Sequence, residues 1–293
     1  MIWGKVAERI LGDGRIRIGV VAPASRMSPE VPDKVIALAR GLYGDRALQI
    51  VFHPQCLSTS GHFAGDDRER AAAFIEVAND PAFDAIWCAR GGYGANRIAE
   101  YVLPALTEAA KAKVWLGYSD FGFLLAPLYN AGIGTCVHGP VAQDIQREGG
   151  EAAISRVFSW LVDRDPAALE PSTTTTPRSV AFNITVLSQM LGTPLQADLA
   201  GHVLMLEEVS EAMYRIDRSL FHITSNPEVR KVAGLRLGRC SLIPENDPDF
   251  GLDAEQVVRF WCERSGIPWL GCADIGHDVE NKLVVFGGAA PLY

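Results

Sequence analysis

The chain has 293 residues, 48% of them hydrophobic and 21% charged, and a net charge of −8. That balance reads as a soluble globular protein with room for two domains, rather than a disordered or membrane one. No apolar run approaches the roughly 20 residues that span a bilayer, and no Lys/Arg cluster stands out, so neither a membrane nor nucleic acid is an expected partner.

The N-terminus, MIWGKVAERILGDGRIRIG, scatters charges where a signal peptide would have an apolar core, and this predicts a cytoplasmic protein. RIRIGVVAPAS then reads as a strand stopped by proline. PDKVIALARGLYG has helical spacing and ends at Gly44. LQIVFHP is a strand, and GDDRERAAAFIEVAND a helix whose acidic start complements the helix dipole. FDAIWCARGG (strand), ANRIAEYVL (helix), KVWLGY (strand), a helix from Phe121 to near Gly132, and IGTCVHGP (strand) complete the first half. Short apolar runs alternating with amphipathic helices predict an α/β sandwich, a mostly parallel sheet with helices on both faces.

Residues 165–178, DPAALEPSTTTTPR, break the pattern and read as a linker between an N-terminal domain, 1–164, and a smaller C-terminal α/β domain, 179–293. The second half opens with the helix NITVLSQMLG and the strand HVLMLE. A helix, EVSEAMYRIDRSLFHITS, follows, with Val209, Ala212, Met213, Ile216, Leu220 and Ile223 on one stripe. The strand AGLRLGRCSLI, a polar loop, the helix AEQVVRFWCERSG, the strand IPWLGC and a tail of loop and strand end the chain. The six cysteines, Cys56, Cys88, Cys136, Cys240, Cys262 and Cys272, form no CxxC pair. Buried reduced thiols are expected, without zinc or thioredoxin-like chemistry.

Ligands of an open parallel sheet bind beyond its strand carboxyl ends. Arg90–Gly94, Ser119–Asp120 and His138 fall there, and none of these loops is GxGxxG or a P-loop, so no nucleotide cofactor is indicated. In ARGGYGANR, glycines 91, 92 and 94 permit either an oxyanion pocket or merely a tight turn. Ser119, at a strand-to-helix corner, is either a nucleophile held above the sheet, with the Asp120 N–H facing a developing oxyanion, or an ordinary helix N-cap. Its surroundings, Gly117-Tyr-Ser119-Asp-Phe121, are not GxSxG. A serine nucleophile needs a base. His53, His62, His202 and His222 have unhelpful neighbours, whereas His138 and His277 each sit where they can reach Ser119 in space. Glu207 ends a strand, as a functional acid or as a partner for the helix dipole. Glu208, Glu211 and Asp217 read as a solvated or salt-bridged helix face.

Taken in order, GVVAPAS, FAGDDRERAAAF, ARGGYGANRI, WLGYSD, HGP, LGTP, LEEVSEAMYRIDR and GIPWLGCADIGH make most of the chain resemble the LD-carboxypeptidase family of serine peptidases, which includes muramoyltetrapeptide carboxypeptidases. The resemblance implies a Ser–His–Glu triad of Ser119, His277 and Glu207, an oxyanion hole from the backbone of Asp120 and of Gly91 or Gly92, and neither metal nor cofactor. It further implies a muropeptide substrate, a cell-wall stem tetrapeptide cut before its terminal D-alanine, and a homodimer. Such a substrate carries several carboxylates, for which Arg90 is the expected cation, with Tyr93 beside it. The chain departs from the family pattern at Ala181-Phe182-Asn183-Ile184, after Asp120, and at Gly276-His277-Asp278, all of which bear on the pocket lining. Two alternatives accompany this reading: a relative of the microcin C immunity peptidase acting on peptidyl-nucleotides, and a non-catalytic muropeptide-binding module. A cyanophycin-degrading peptidase would keep its triad in one domain, which this chain does not permit.

Overall fold

Strand β1 (Ile16–Val21) owes its apolar run to burial in the middle of a sheet. A computed structural model describes residues 15–174 and 178–288; residues 1–14 of the N-terminal stretch read for a signal peptide, residues 175–177 of the expected linker and residues 289–293 of the tail lie outside them. The first sheet also contains β2 (Leu48–Phe52), β3 (Ala85–Cys88), β4 (Val114–Gly117), β5 (Thr135–His138) and β10 (Val284–Val285), in the order β10-β5-β4-β3-β1-β2. All its pairings are parallel except β10 with β5.

Helices α1 (Val31–Ala47) and α5 (Gly150–Asp163) cover one face, packing Val31, Val35, Phe158 and Leu161 against Ile18, Trp87 and Leu116. On the other face lie α2 (Asp67–Asn79), α3 (Ala95–Val102) and α4 (Gly122–Asn130), with Phe74, Ile98 and Leu125 against Ile86 and Trp115. The second sheet, β6 (Ser179–Asn183), β7 (Val203–Val209), β8 (Gly234–Ser241) and β9 (Trp269–Cys272), is parallel in that order. Its helices are α6 (Ile184–Met190), α7 (Met213–Ser225) and α8 (Ala254–Ser265). The α2–α4 face and the second sheet share one continuous apolar core, in which Phe121 and Leu124 join Phe182, Leu187 and Leu206. The tail ties the halves again, because β10 pairs with β5 while Val284 packs against Met205 and Ile275.

Three details depart from the pattern read off the sequence. Strand β6 was hidden behind the Thr-rich stretch, and all five of its residues are buried. β7 runs on through Val209, so α7 begins at Met213 and not at Glu208. The segment 165–174 forms two 3-10 turns, Pro166–Ala168 and Pro171–Thr174, docked on the tail through Glu170 N–H to Leu283 O at 2.9 Å. Four of the six cysteines are buried, Cys240 is half-buried, Cys272 is exposed, and all are free thiols.

Candidate active site

β4 ends at Gly117, and Ser119 follows in the left-handed region at φ 61°, opening the turn Ser119–Phe121 that leads into α4. A β-carbon is strained there by about 1–3 kcal/mol, and surrounding contacts must hold it. The capping alternative for Ser119 is not what forms: the cap positions before the turn and before α4 belong to Tyr118 and Phe121. Asp120, beside it, is buried and accepts the Ala95 N–H at 2.7 Å, tying this corner to the start of α3 and the Arg90–Gly94 loop. Burial pushes the Asp120 carboxyl up to about 6, against the backbone N–H groups of Ala95 and Gly94 that favour its charge.

The glycines of that loop are there for contact. A β-carbon on Gly91 would stand 2.9 Å from Ser119 Cβ and 3.0 Å from its Oγ. Gly92 has φ 108°, and a β-carbon there would stand 2.2 Å from Ser25 Oγ. Only glycine lets this backbone lie against the serine.

The candidate acid and base, Glu207 and His277, come from the second half. Glu207 is fully buried on β7 where the β7–β8 register shifts between Leu206 and Glu208, an irregularity of the kind that re-aims a side chain. Its Oε2 accepts a hydrogen bond from His277 Nδ1. An ionised carboxylate only accepts, so His277 carries its proton on Nδ1 and leaves Nε2 as a base. Burial alone would lower the His277 pKa, but the Glu207 charge and hydrogen bond outweigh it and the imidazole is raised above its usual value. Its loop is clamped on both sides. Arg239 ion-pairs with Asp274 and with Asp278, to whose Oδ1 its Nη2 donates at 2.8 Å, and Gly276 N–H donates to Asn281 at 3.1 Å.

Ser119 and His277 line one cleft of about 450 Å³, together with Arg90, Gly91, Gly92, Tyr118, Asp144 and Arg147. Arg90 is exposed and donates to Arg26 O at 3.0 Å. Tyr93 is not among the cleft's lining; it lies against Phe63 and His62. His138, the other candidate base, is buried behind the cleft with its ring centroid 5.6 Å from that of Tyr118. Burial pushes it down to about 4, opposed by Glu207, so it is neutral near pH 7.

Glu208 is not on a solvated helix face. It is buried at the end of β7, where its carboxylate accepts from Asn183, from Thr185 N–H at 2.9 Å and from Val209 N–H at 2.9 Å. Glu211 does pair with Arg215 at 3.6 Å, and Asp217 accepts from the Trp261 indole at 2.8 Å. Sequence reasoning overlooked Asp144, Arg147 and Tyr118; a basic and an acidic residue three apart just past a strand end was the available signal. Among the described residues no cluster of His, Cys, Asp or Glu could hold a metal ion, and no helix is long and apolar enough to cross a membrane.

Family models describe residues 18–139 as an LD-carboxypeptidase N-terminal domain and residues 178–292 as an LD-carboxypeptidase C-terminal domain. The chain is 29% identical over 286 residues to the "Probable murein peptide carboxypeptidase" of Bacillus subtilis, covering 94% of this chain and 88% of that one. Its fold matches muramoyltetrapeptide carboxypeptidase from Oxalobacter formigenes, with a TM-score of 0.75, 23% identity, and 92% and 93% of the two chains covered. It also matches the microcin-immunity protein MccF in complex with glutamyl sulfamoyl guanosine, with a TM-score of 0.73, 18% identity, and 95% and 97% covered. With both halves matched in order across the two sheets, this chain belongs to the LD-carboxypeptidase family of serine peptidases.

Proposed function

We propose that this enzyme is an L,D-carboxypeptidase that removes the terminal D-alanine from a cell-wall stem tetrapeptide through a Ser119–His277–Glu207 triad. The observation that carries the proposal is the pairing within one cleft of a serine at positive φ with a histidine whose Nδ1 is bonded to a fully buried glutamate. The choice of a murein peptide follows the relative named above.

In this mechanism His277 Nε2 takes the Ser119 proton as Oγ attacks the carbonyl before D-alanine. The imidazolium that forms is stabilised by the Glu207 charge. The N–H groups of Asp120 and of Gly91 or Gly92 face the tetrahedral oxyanion. His277 returns the proton to the leaving amine, and D-alanine departs. Water, deprotonated by His277, then attacks the acyl-enzyme carbonyl; the bond to Oγ breaks, and Ser119 takes back the proton.

The test is mass-spectrometric detection of D-alanine released from L-Ala-γ-D-Glu-meso-diaminopimelate-D-Ala, run beside Ser119→Ala. Release by the wild type alone supports the proposal; release undiminished in Ser119→Ala overturns it. Aspartyl sulfamoyl adenosine, run in parallel, tests the peptidyl-nucleotide alternative.

A further inference from the structure

We propose that Arg147 reads the free carboxylate at the C-terminus of the substrate and so restricts this hydrolase to the last peptide bond. The inference rests on the reading of the Ser119 cleft as a peptidase site.

Arg147 shares the cleft lining with Ser119 and His277, and its side chain is 38% exposed. Its Nε donates to Asp144 Oδ1 at 2.8 Å. Asp144 is itself held: its buried carboxylate accepts the Val141 N–H at 3.0 Å and the Tyr118 hydroxyl at 3.2 Å. Tyr118 precedes Ser119 in the chain, and its ring lies 4.5 Å, centroid to centroid, from that of His277. The guanidinium is therefore braced, through one buried carboxylate, to the same residue that packs beneath the base.

Guanidinium has five donors in a planar fork; Asp144 takes the Nε–H and the Tyr118 hydroxyl also lies against the group, which leaves donors over for a further acceptor. Among the described residues no second carboxylate lies within ion-pair distance of Arg147. A carboxylate entering the cleft meets the two Nη groups of a fork already oriented, so little side-chain entropy is lost in forming a bidentate pair. Arg90 is the weaker candidate. It is exposed, and among the described residues its side chain is anchored only to the carbonyl of Arg26.

The experiment is calorimetric titration of the Ser119→Ala protein with the tetrapeptide L-Ala-γ-D-Glu-meso-diaminopimelate-D-Ala and with its C-terminal amide. The acid is expected to bind roughly 10- to 100-fold tighter than the amide, the scale of one charge-assisted bidentate pair. Adding Arg147→Met should bring the two peptides within about threefold of each other, while adding Arg90→Met should leave the preference in place. Arg147→Lys keeps the charge but not the fork, and should lose most of the preference even if Arg147→Met folds poorly. Equal binding of acid and amide, binding of neither, or a preference that survives in Arg147→Lys and passes away with Arg90 overturns the inference. D-alanine release by the protein with Ser119 intact is scored separately. A carboxylate preference without release keeps Arg147 as the reader and removes the peptidase reading.

Discussion

The wall of the cleft that carries Ser119 and the wall that carries His277 are built on different scales. Ser119 is set by its own neighbourhood in the chain: a short strand, a corner at φ 61°, and a glycine loop one strand away in the same sheet. His277 takes its orientation from Glu207, which is 70 residues earlier, and from Arg239 clamping both Asp274 and Asp278. The first wall is a backbone device, held by strain and close approach. The second is an electrostatic device, held by a buried Glu207–His277 pair and a half-exposed ion-pair clamp. Damage to the first should therefore appear as steric loss, and damage to the second as altered pH dependence.

The largest effects break both walls at the chemistry. Ser119→Ala and His277→Ala should each lower kcat by about 10⁴–10⁶, and the double variant should be scarcely worse than either, because the two act as one unit. Near-additive losses in single-turnover assays would show that they do not. Ser119→Ala should melt close to the wild type, since Ser119 occupies neither the cap position of the turn nor that of α4.

Next comes the electrostatic wall. Glu207→Gln should lower kcat by about 10³–10⁴ by losing the imidazolium's partner and the favoured tautomer. The sign of the pH effect follows from His277, whose pKa is raised in the folded protein. As pH falls, kcat/KM of the wild type should decline through a value above the usual imidazole pKa of about 6.5. In Glu207→Gln, burial is opposed only by the more weakly acting charges of Asp144 and Glu208, and that limb should move down. The stability that the charged His277 contributes is present below the unfolded pKa and is lost as pH rises through the folded one. An acidic limb unmoved by Glu207→Gln would separate His277 from the limb.

The backbone wall is tested by Gly91→Ala. Its β-carbon would intrude on Ser119 at 2.9 Å. Overpacking of this kind costs about 1–3 kcal/mol, and a displaced nucleophile about 10²-fold in kcat. Unchanged turnover in a folded Gly91→Ala protein would mean that the loop yields freely.

The smallest effect on turnover belongs to Asp120→Asn. If its backbone N–H does the work, kcat should change only a few-fold, and the amide oxygen can still accept from Ala95. The stability profile should change more. Burial raises the folded Asp120 pKa from 3.8 to about 6, so the folded state holds the proton more tightly, and stability falls as pH rises across that window. The shift is worth about 3 kcal/mol in order of magnitude, and Asp120→Asn should flatten that slope in chemical denaturation at pH 4 and pH 7.

Much of the first sheet and its corner was legible, because β1 and β3 to β5 are short, mostly buried runs, β2 at the sheet edge alternates in exposure, and amphipathic helices separate them, so that periodicity reports burial directly. β6 was not, because five buried residues directly behind a Thr-rich stretch show no alternation to distinguish a strand from a helix start. Glu208 was misread for a related reason. Periodicity assigned it to the helix that begins at Met213, whereas strand pairing carries β7 through Val209 and buries the carboxylate against Asn183 and Thr185. Arg90 could be placed at the cleft from the glycine loop and does line it, whereas Arg147 gains its orientation from Asp144, which Tyr118 also holds, contacts that spacing along the chain does not encode.

By itself, then, the amino-acid order determined what local physics can express: which runs are apolar, where glycine frees the backbone, and that a serine stands at a strand-to-helix corner. The tertiary structure decided what depends on distant partners. It bonded His277 to Glu207 and buried His138 against Tyr118. It brought the tail back onto the first sheet through β10. Both outcomes rest on charges and apolar surfaces leaving water together, and the free energy of that step depends on which residues meet rather than on which are adjacent in sequence.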